Sequence, residues 1–136
     1  MNGYLADSSV LLDVFAADPL WAEWSIDQLE KAWSDGPVFI NPVIYSEVSI
    51  MFSRIEDLEA AIRESGLAWS EIPKEALFLA GKAFLAYRKS GGQRTTSLPD
   101  FFIGAHAAVS DLILITRDPQ RVQKSFPRVR LMHPQE

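Results

Sequence analysis

Four acidic residues stand out because each follows or interrupts an apolar segment, where a purely structural acid is unusual: Asp7, Glu47, Asp100 and Asp118. Brought together, four carboxylates repel one another strongly unless a divalent cation lies among them. An all-oxygen site suits Mg²⁺ or Mn²⁺. Such ions activate water and stabilise the charge that develops on a phosphoryl oxygen. The pattern therefore predicts metal-dependent phosphoryl chemistry.

Glu47 is the hardest of the four to explain as a structural residue. Its helical neighbours are apolar on several sides, which predicts a partly buried carboxylate. Burying an unpaired carboxylate costs several kcal/mol. Two like charges ~4 Å apart also repel by about 4 kcal/mol at an effective dielectric of 20, and several such pairs would rival the ~5–15 kcal/mol stability of a domain. We expect either a bound cation or raised carboxyl pKa values.

The elements that must position these acids follow from the apolar periodicity. Short apolar runs predict strands at residues 4–6, 38–40, 67–72, 112–116 and 129–132. Helical patterns occupy residues 8–16, 20–34, 42–52, 55–65, 74–89, 99–109 and 118–125. This alternation predicts an α/β fold with a central, mostly parallel sheet of four to five strands between helices. Because the carboxyl ends of parallel strands converge at one edge, Asp7 and Asp118 should lie there.

Bulk composition limits the class of protein. The 136 residues predict a single domain spanning 1–136, and the 48% hydrophobic content supports a sizeable core. No run approaches the ~18 apolar residues of a membrane span, and no signal peptide is recognisable. The chain has no cysteine, which excludes disulfides and thiolate zinc sites. We expect a cytoplasmic protein without membrane contact.

The charge is unevenly distributed along the chain. Residues 1–87 carry 5 basic and 14 acidic side chains, whereas residues 88–136 carry 8 basic and 4 acidic ones. Such asymmetry can mark a nucleic-acid surface on one side and a basic protein partner on the other. It is equally compatible with ordinary solvated charges, so it does not decide the function alone.

Four motifs resemble those of PIN-domain nucleases, in the same order and spacing over nearly the whole chain. They are DSSVLLD at 7–13, SEV at 46–48, LPDFFIGAHA at 98–107 and LITRD at 114–118. The short length and the third motif resemble the VapC-like toxins of bacterial toxin–antitoxin pairs. The resemblance implies a PIN-like three-layer α/β/α sandwich and a Mg²⁺- or Mn²⁺-dependent endoribonuclease, often directed at structured RNA such as tRNA. It also implies a VapB-like antitoxin, a homodimer, and operator DNA binding through that antitoxin.

The resemblance assigns roles to the four acids. Asp7 and Asp100 would be the principal metal ligands. Glu47 and Asp118 would complete the cluster, through waters or a second ion, and orient the attacking water. All four would therefore be both metal-binding and catalytic residues.

Four further side chains are candidate site residues. Ser9 and Thr116 could donate hydrogen bonds that hold the carboxylates. Arg88 and Arg94 flank the loop that leads to Asp100 and could bind RNA phosphates, an inference from their charge and position.

Several residues have more ordinary interpretations. Asp13 falls six residues after Asp7 and is expected to be a surface acid. His106 is expected to be a hydrogen-bonded core histidine rather than a catalytic base, and Gly104 to permit a close helix approach. The tryptophans of the second helix could face a partner or pack on the core, and the sequence leaves both open: Trp21, Trp24 and Trp33.

Two other functions are compatible with the same motifs. A non-catalytic PIN module could serve as co-repressor with a DNA-binding antitoxin. A PIN nuclease of RNA maturation or flap DNA would use the same chemistry on another substrate. The sequence does not identify the RNA, the cleavage site, the antitoxin, or the number of metal ions.

Overall fold

A computed structural model describes residues 2–91 and 96–135 of the chain. Its strands are β1 Tyr4–Ala6, β2 Val38–Ile40, β3 Ala68–Trp69, β4 Ile113–Ile115 and β5 Leu131–Met132. Its helices are α1 Ser8–Phe15, α2 Ala22–Asp35, α3 Pro42–Val48, α4 Ile55–Glu64, α5 Lys74–Lys89, α6 Leu98–Ser110 and α7 Gln120–Gln123. One turn of 3₁₀ helix, Ser49–Met51, follows α3. The predicted α/β/α architecture with a parallel sheet is confirmed.

The sheet has the order β3-β2-β1-β4-β5, and every described strand pair is parallel. The central strand β1 is buried along its length, as expected for a strand covered by helices on both faces. Leu5 pairs with Leu114 and Ala6 with Ile115, so β1 and β4 end side by side. The Asp7 backbone N–H continues this pairing and donates to the Ile115 carbonyl at 2.9 Å. Asp7 and the segment after β4 therefore start from adjacent points at the carboxyl edge of the sheet.

Two helix starts fix further parts of that edge. Asn41 Oδ1 accepts from the Ile44 backbone N–H at 2.9 Å and caps α3, which carries Glu47. Ser97 and Asp100 form a capping box at the start of α6. Within the described ranges, no helix is long and apolar enough to cross a bilayer.

Several elements are shorter than predicted, including β4 at Ile113–Ile115 and α7 at Gln120–Gln123. The helix starting at Pro42 ends at Val48, and the predicted strand 67–72 reduces to Ala68–Trp69. The predicted strand 129–132 reduces to Leu131–Met132. The two-residue strands β3 and β5 lie at the sheet edges, where pairing with one neighbour only supports fewer residues.

His106 is fully buried and joins three elements, in agreement with the predicted core role. Asn41 Nδ2 lies 3.0 Å from His106 Nδ1, and Ser70 Oγ lies 3.2 Å from Nε2. Because the Asn41 amide donates to Nδ1, the proton of the neutral ring resides on Nε2 and is donated to Ser70. Burial lowers the pKa of His106, which favours this neutral form. The ring thus links α6 to the ends of β2 and β3.

Gly104 permits a close approach, but the group that approaches is the Phe126 ring and not the helix that was predicted. A Cβ at Gly104 would lie 2.5 Å from Phe126 Cδ2 and 2.7 Å from Cε2. Phe126 is itself buried and packs on Phe101 with ring centroids 6.1 Å apart. The ring therefore has little room to move away.

Gly104→Ala should lower the free energy of unfolding by about 1–3 kcal/mol, because it over-packs this contact. Urea denaturation measures the change. Gly81→Ala is the matched control, since it is also a helix glycine and its Cβ would meet nothing within 4 Å. That variant should gain up to ~1 kcal/mol. A Gly104→Ala protein as stable as the unmodified chain would show that the Phe126 ring can move aside without loss of stability.

Candidate metal centre

Three of the four predicted acids lie close enough for their charges to interact: Asp7, Glu47 and Asp100. Burial is the largest cause raising the pKa of Asp7, and the negative charge of Asp100 raises it further. Burial also raises the pKa of Glu47, as do the charges of Asp7 and Asp100. Raised carboxyl pKa values are one of the two outcomes expected for clustered acids. The sequence therefore folds to concentrate negative charge at the carboxyl edge of the sheet.

The Asp7 carboxylate is held by two hydroxyl groups. Ser9 Oγ donates to Asp7 Oδ2 at 2.8 Å, and Thr116 Oγ1 donates to the same oxygen at 2.7 Å. Both hydrogen bonds lower the pKa of Asp7 and so oppose the effect of burial. Thr116 Oγ1 also accepts from the Asp118 backbone N–H at 3.0 Å. These contacts fix the orientation of the Asp7 carboxylate and connect β1 to the segment after β4.

Glu47 and Asp100 are held by serines that the sequence analysis did not single out. Ser8 Oγ donates to Glu47 Oε1 at 2.7 Å. Asp100 Oδ2 accepts from the Ser97 backbone N–H at 2.9 Å and from Ser97 Oγ at 3.1 Å. The Ser-x-x-Asp spacing of the capping box was a readable signal for the second contact. No comparable sequence signal connects Ser8 with Glu47, because the two residues are 39 positions apart.

The remaining predicted residues are less closely joined to this group. Asp118 is tied to it by its backbone N–H, through Thr116, rather than by its carboxylate. Arg88 is exposed near the end of α5, with its guanidinium carbon 5.8 Å from the centre of the Phe84 ring. Arg94 lies outside the described residues.

The carboxylates do not stand as a completed ligand set. Among residues 2–91 and 96–135, no three His, Asp or Glu side chains are arranged to hold a metal ion. The Asp100 carboxylate instead caps the start of its own helix. The donors nevertheless fit a small divalent cation by chemistry, since all are oxygens, and burial together with the neighbouring negative charges raises the pKa values of Asp7 and Glu47.

Arg121 is a site residue that the sequence analysis missed. Its Nη1 lies 3.8 Å from Asp100 Oδ1, and its charge lowers the pKa of Glu47. Its approach depends on how α7 packs after β4, which residue spacing does not reveal.

The prediction that Asp13 is a surface acid is wrong, because this residue is only 3% exposed. Its Oδ2 lies 3.0 Å from Arg117 Nε and accepts from Ser25 Oγ at 3.0 Å. The Arg117 guanidinium carbon also lies 5.3 Å from the centre of the Trp21 ring. The hydrogen bond from Ser25 places the Asp13 carboxylate against α2, which packs on this side of α1 and makes it interior. The ion pair holds the residue immediately before Asp118.

In the absence of metal, Asp7→Asn should stabilise the protein at neutral pH. A folded-state pKa above the ordinary value of 3.8 means that the fold binds the Asp7 proton more tightly than the unfolded chain does. The associated stability is present below that ordinary value and is lost as the pH rises through the raised one. Asn removes this loss, so the gain should be larger at pH 7.5 than at pH 4.

Urea unfolding in EDTA at both pH values measures the effect, and Asp27→Asn at an exposed site of α2 is the control. An Asp7→Asn protein that is less stable than the control at pH 7.5 would contradict the inference that burial and neighbouring negative charge destabilise the ionised Asp7.

Several solved structures share this fold. A chain of the VapBC2 complex from Rickettsia felis, bound to a promoter DNA fragment, gives a TM-score of 0.74 at 16% identity, covering 96% of this chain and 97% of that one. A chain of DNA-bound VapBC from Salmonella typhimurium gives 0.70 at 15% identity, covering 98% of each. A toxin–antitoxin complex from Klebsiella pneumoniae gives 0.65 at 21% identity, covering 98% and 99%. No curated protein matches the sequence significantly.

The family assignment comes from the sequence rather than from these folds. The model of the PIN domain family matches residues 4–129, which include all four acids and both hydroxyl donors to Asp7. This span exceeds half of the chain and agrees with the parallel sheet and the placement of Asp7 beside β4. The chain therefore belongs to the PIN domain family.

Proposed function

We propose that this protein is a Mg²⁺- or Mn²⁺-dependent endoribonuclease that acts as the toxin of a VapBC-type toxin–antitoxin pair. The observation that carries the proposal is the gathering of Asp7, Glu47 and Asp100 at the carboxyl edge of the sheet, with burial and mutual repulsion raising the pKa of the first two. Membership of the PIN domain family supports a nuclease in general. The RNA substrate and the metal dependence are the finer parts of the proposal.

The chain's own residues would divide the work as follows. Asp7 and Asp100 would hold the cation, and Glu47 and Asp118 would complete its surroundings. When bound, the ion lowers the pKa of a coordinated water and stabilises negative charge on the phosphoryl oxygens. Ser9 and Thr116 keep the Asp7 carboxylate oriented, as hydrogen-bond donors behind metal ligands commonly do.

Glu47 has a second role in this proposal. Ser8 donates to Glu47 Oε1 and so fixes the orientation of the carboxylate. We place Glu47 Oε2 as the atom that orients the attacking water and receives its proton.

Substrate binding is assigned to two arginines in the basic part of the chain, Arg88 and Arg94. Residues 88–136 carry an excess of positive charge, and Arg88 is exposed there. Arg88 and Arg94 remain the predicted contacts to RNA phosphates. We propose structured RNA, such as tRNA, as the substrate.

The proposed partner is a VapB-like antitoxin, with a homodimer of this chain and DNA binding through the antitoxin. Structures with the same fold are VapBC and other toxin–antitoxin complexes, two of them bound to DNA. The surface of this chain also has large exposed apolar side chains available for partners, among them Leu20, Ile50, Ile55 and Phe78.

Cleavage assays with the purified protein test the proposed function. Total tRNA, ribosomal RNA and a branched DNA are each incubated with Mg²⁺, with Mn²⁺ and with EDTA. We expect cleavage of RNA, most of all tRNA, that EDTA abolishes. Cleavage of the branched DNA alone would instead support a flap nuclease. Absence of any EDTA-sensitive cleavage of RNA would overturn the proposal.

One observation favours a second candidate, a non-catalytic co-repressor of the same fold. The acids do not form a completed ligand set among the residues that the structure describes. Calorimetric titration with Mn²⁺ separates the two functions. A nuclease binds the ion in the micromolar-to-millimolar range and a co-repressor need not bind it.

A further inference from the structure

We propose that Arg121 is a further catalytic residue, whose guanidinium binds the RNA phosphate that is cleaved at the carboxylate cluster. This inference rests on the proposed function, and it assigns the contact to a residue outside the predicted acids and outside the pair Arg88 and Arg94. It follows from where α7 lies, from what the guanidinium contacts, and from what an approaching phosphate would meet.

The backbone of Arg121 is fixed at the site, but its side chain is not buried. The next residue, Val122, is 4% exposed and anchors α7 in the core. The Arg121 backbone N–H donates to the Asp118 carbonyl at 3.2 Å, one turn after the fourth predicted acid. The Arg121 side chain itself is 47% exposed. The Arg121 guanidinium therefore lies beside the carboxylate cluster, with one side exposed to solvent.

The contact with Asp100 does not tie the Arg121 guanidinium in a hydrogen bond. The distance from Nη1 to Asp100 Oδ1 is 3.8 Å, too long for a hydrogen bond. Of the ion pairs in the described part of the chain, this is the one that involves a predicted acid. By contrast, Arg117 already pairs with Asp13 and lies over Trp21, so it has no comparable freedom.

An RNA phosphate approaching this edge would meet several carboxylates and be repelled by them. The planar guanidinium presents donors in a fork that matches two phosphate oxygens. Its charge already lowers the pKa of Glu47, which shows that its field reaches the cluster. In the free protein Arg121 offsets part of the carboxylate charge. With Asp100 engaged in holding a cation, the Arg121 guanidinium would be available to an RNA phosphate.

A purely structural role predicts different behaviour. An exposed ion pair at this distance stabilises a protein by ~1 kcal/mol or less. Loss of the side chain would then change stability slightly and leave RNA binding unaltered.

Arg121→Gln and Arg121→Lys test the proposal. The matched control is Arg128→Gln, which makes the same charge change at an exposed position before β5, toward the opposite edge of the sheet. We expect Arg121→Gln to lower kcat/KM for RNA by on the order of 10²-fold, as loss of one donor to a developing anion does in other enzymes. Arg121→Lys should restore part of this loss, and Arg128→Gln should change it less than about 3-fold. Equal rates for Arg121→Gln and Arg128→Gln would overturn the proposal.

Two binding measurements decide the inference without turnover. Fluorescence anisotropy with a short RNA in Ca²⁺ should show Arg121→Gln binding at least about 5-fold more weakly than Arg128→Gln. Mn²⁺ affinity without RNA should be unchanged or higher in Arg121→Gln, because a competing cation is removed. Equal RNA affinities of the two variants, or weaker Mn²⁺ binding in Arg121→Gln, would contradict it. If the unmodified protein bound RNA but cleaved none, the proposed function would fail while these measurements still decided the role of Arg121.

Discussion

Asp7→Asn should reduce metal-dependent RNA cleavage by on the order of 10³-fold while the protein stays folded. The Asp7 carboxylate is held in place, because two hydroxyl groups donate to the same oxygen, and burial raises its pKa. Asn keeps the shape and an accepting oxygen but lacks the charge that binds a cation. Initial rates with a tRNA substrate at saturating Mn²⁺ measure the effect.

Asp100→Asn separates the chemical role of a carboxylate from its structural one. An Asn oxygen can still accept from the Ser97 backbone N–H, so the cap of α6 should persist. We expect a loss of rate similar to that of Asp7→Asn without loss of helix, as judged by circular dichroism. The exposed-site variant Asp27→Asn should retain full activity. Wild-type rates in both active-site variants would show that the carboxylates do not carry the reaction.

Asp13→Ala should lower the free energy of unfolding by about 3 kcal/mol, because it leaves the Arg117 guanidinium without its buried partner. Burial outweighs the attraction of Arg117 and raises the pKa of Asp13. The attraction between the two charges therefore does little more than offset the cost of burying them. Removing one partner is costly because the other stays charged. Replacing both, as Asp13→Leu with Arg117→Met, should recover most of the loss.

Urea denaturation of these variants compares buried with exposed pairing. Glu56→Ala breaks the ion pair with Arg54, whose side chains are 67% and 68% exposed, and should cost less than about 1 kcal/mol. If Asp13→Ala lowered the free energy of unfolding no more than Glu56→Ala does, the pair of Asp13 and Arg117 would stabilise the fold no more than an exposed ion pair.

The position of Asp7 could be predicted from the sequence because it depends on strand ends. A parallel sheet brings the ends of β1 and β4 to one edge, and the register aligns Ala6 with Ile115. The Ser-x-x-Asp spacing of Ser97 and Asp100 is likewise a local signal for the start of α6. Such features depend on local spacing and on the common geometry of parallel sheets.

The contacts that the sequence did not reveal depend on how helices pack. Asp13 became interior because α2 covers the side of α1 that faces away from Asp7. Arg121 reaches Asp100 because of where α7 follows β4. Asp100 caps α6 with the same carboxylate that was expected to bind metal, and the motifs did not indicate this. These outcomes are set by tertiary packing, which residue spacing alone does not specify.

The central claim is that Asp7, Glu47 and Asp100 share one divalent cation. Crystals grown with saturating Mn²⁺, with anomalous scattering recorded at the manganese edge, test it most directly. We expect one anomalous peak about 2–2.5 Å from oxygens of Asp7 and Asp100, with the Asp100 side chain turned from Ser97. A fully ordered cluster with no peak, and with Asp100 still capping α6, would contradict the claim.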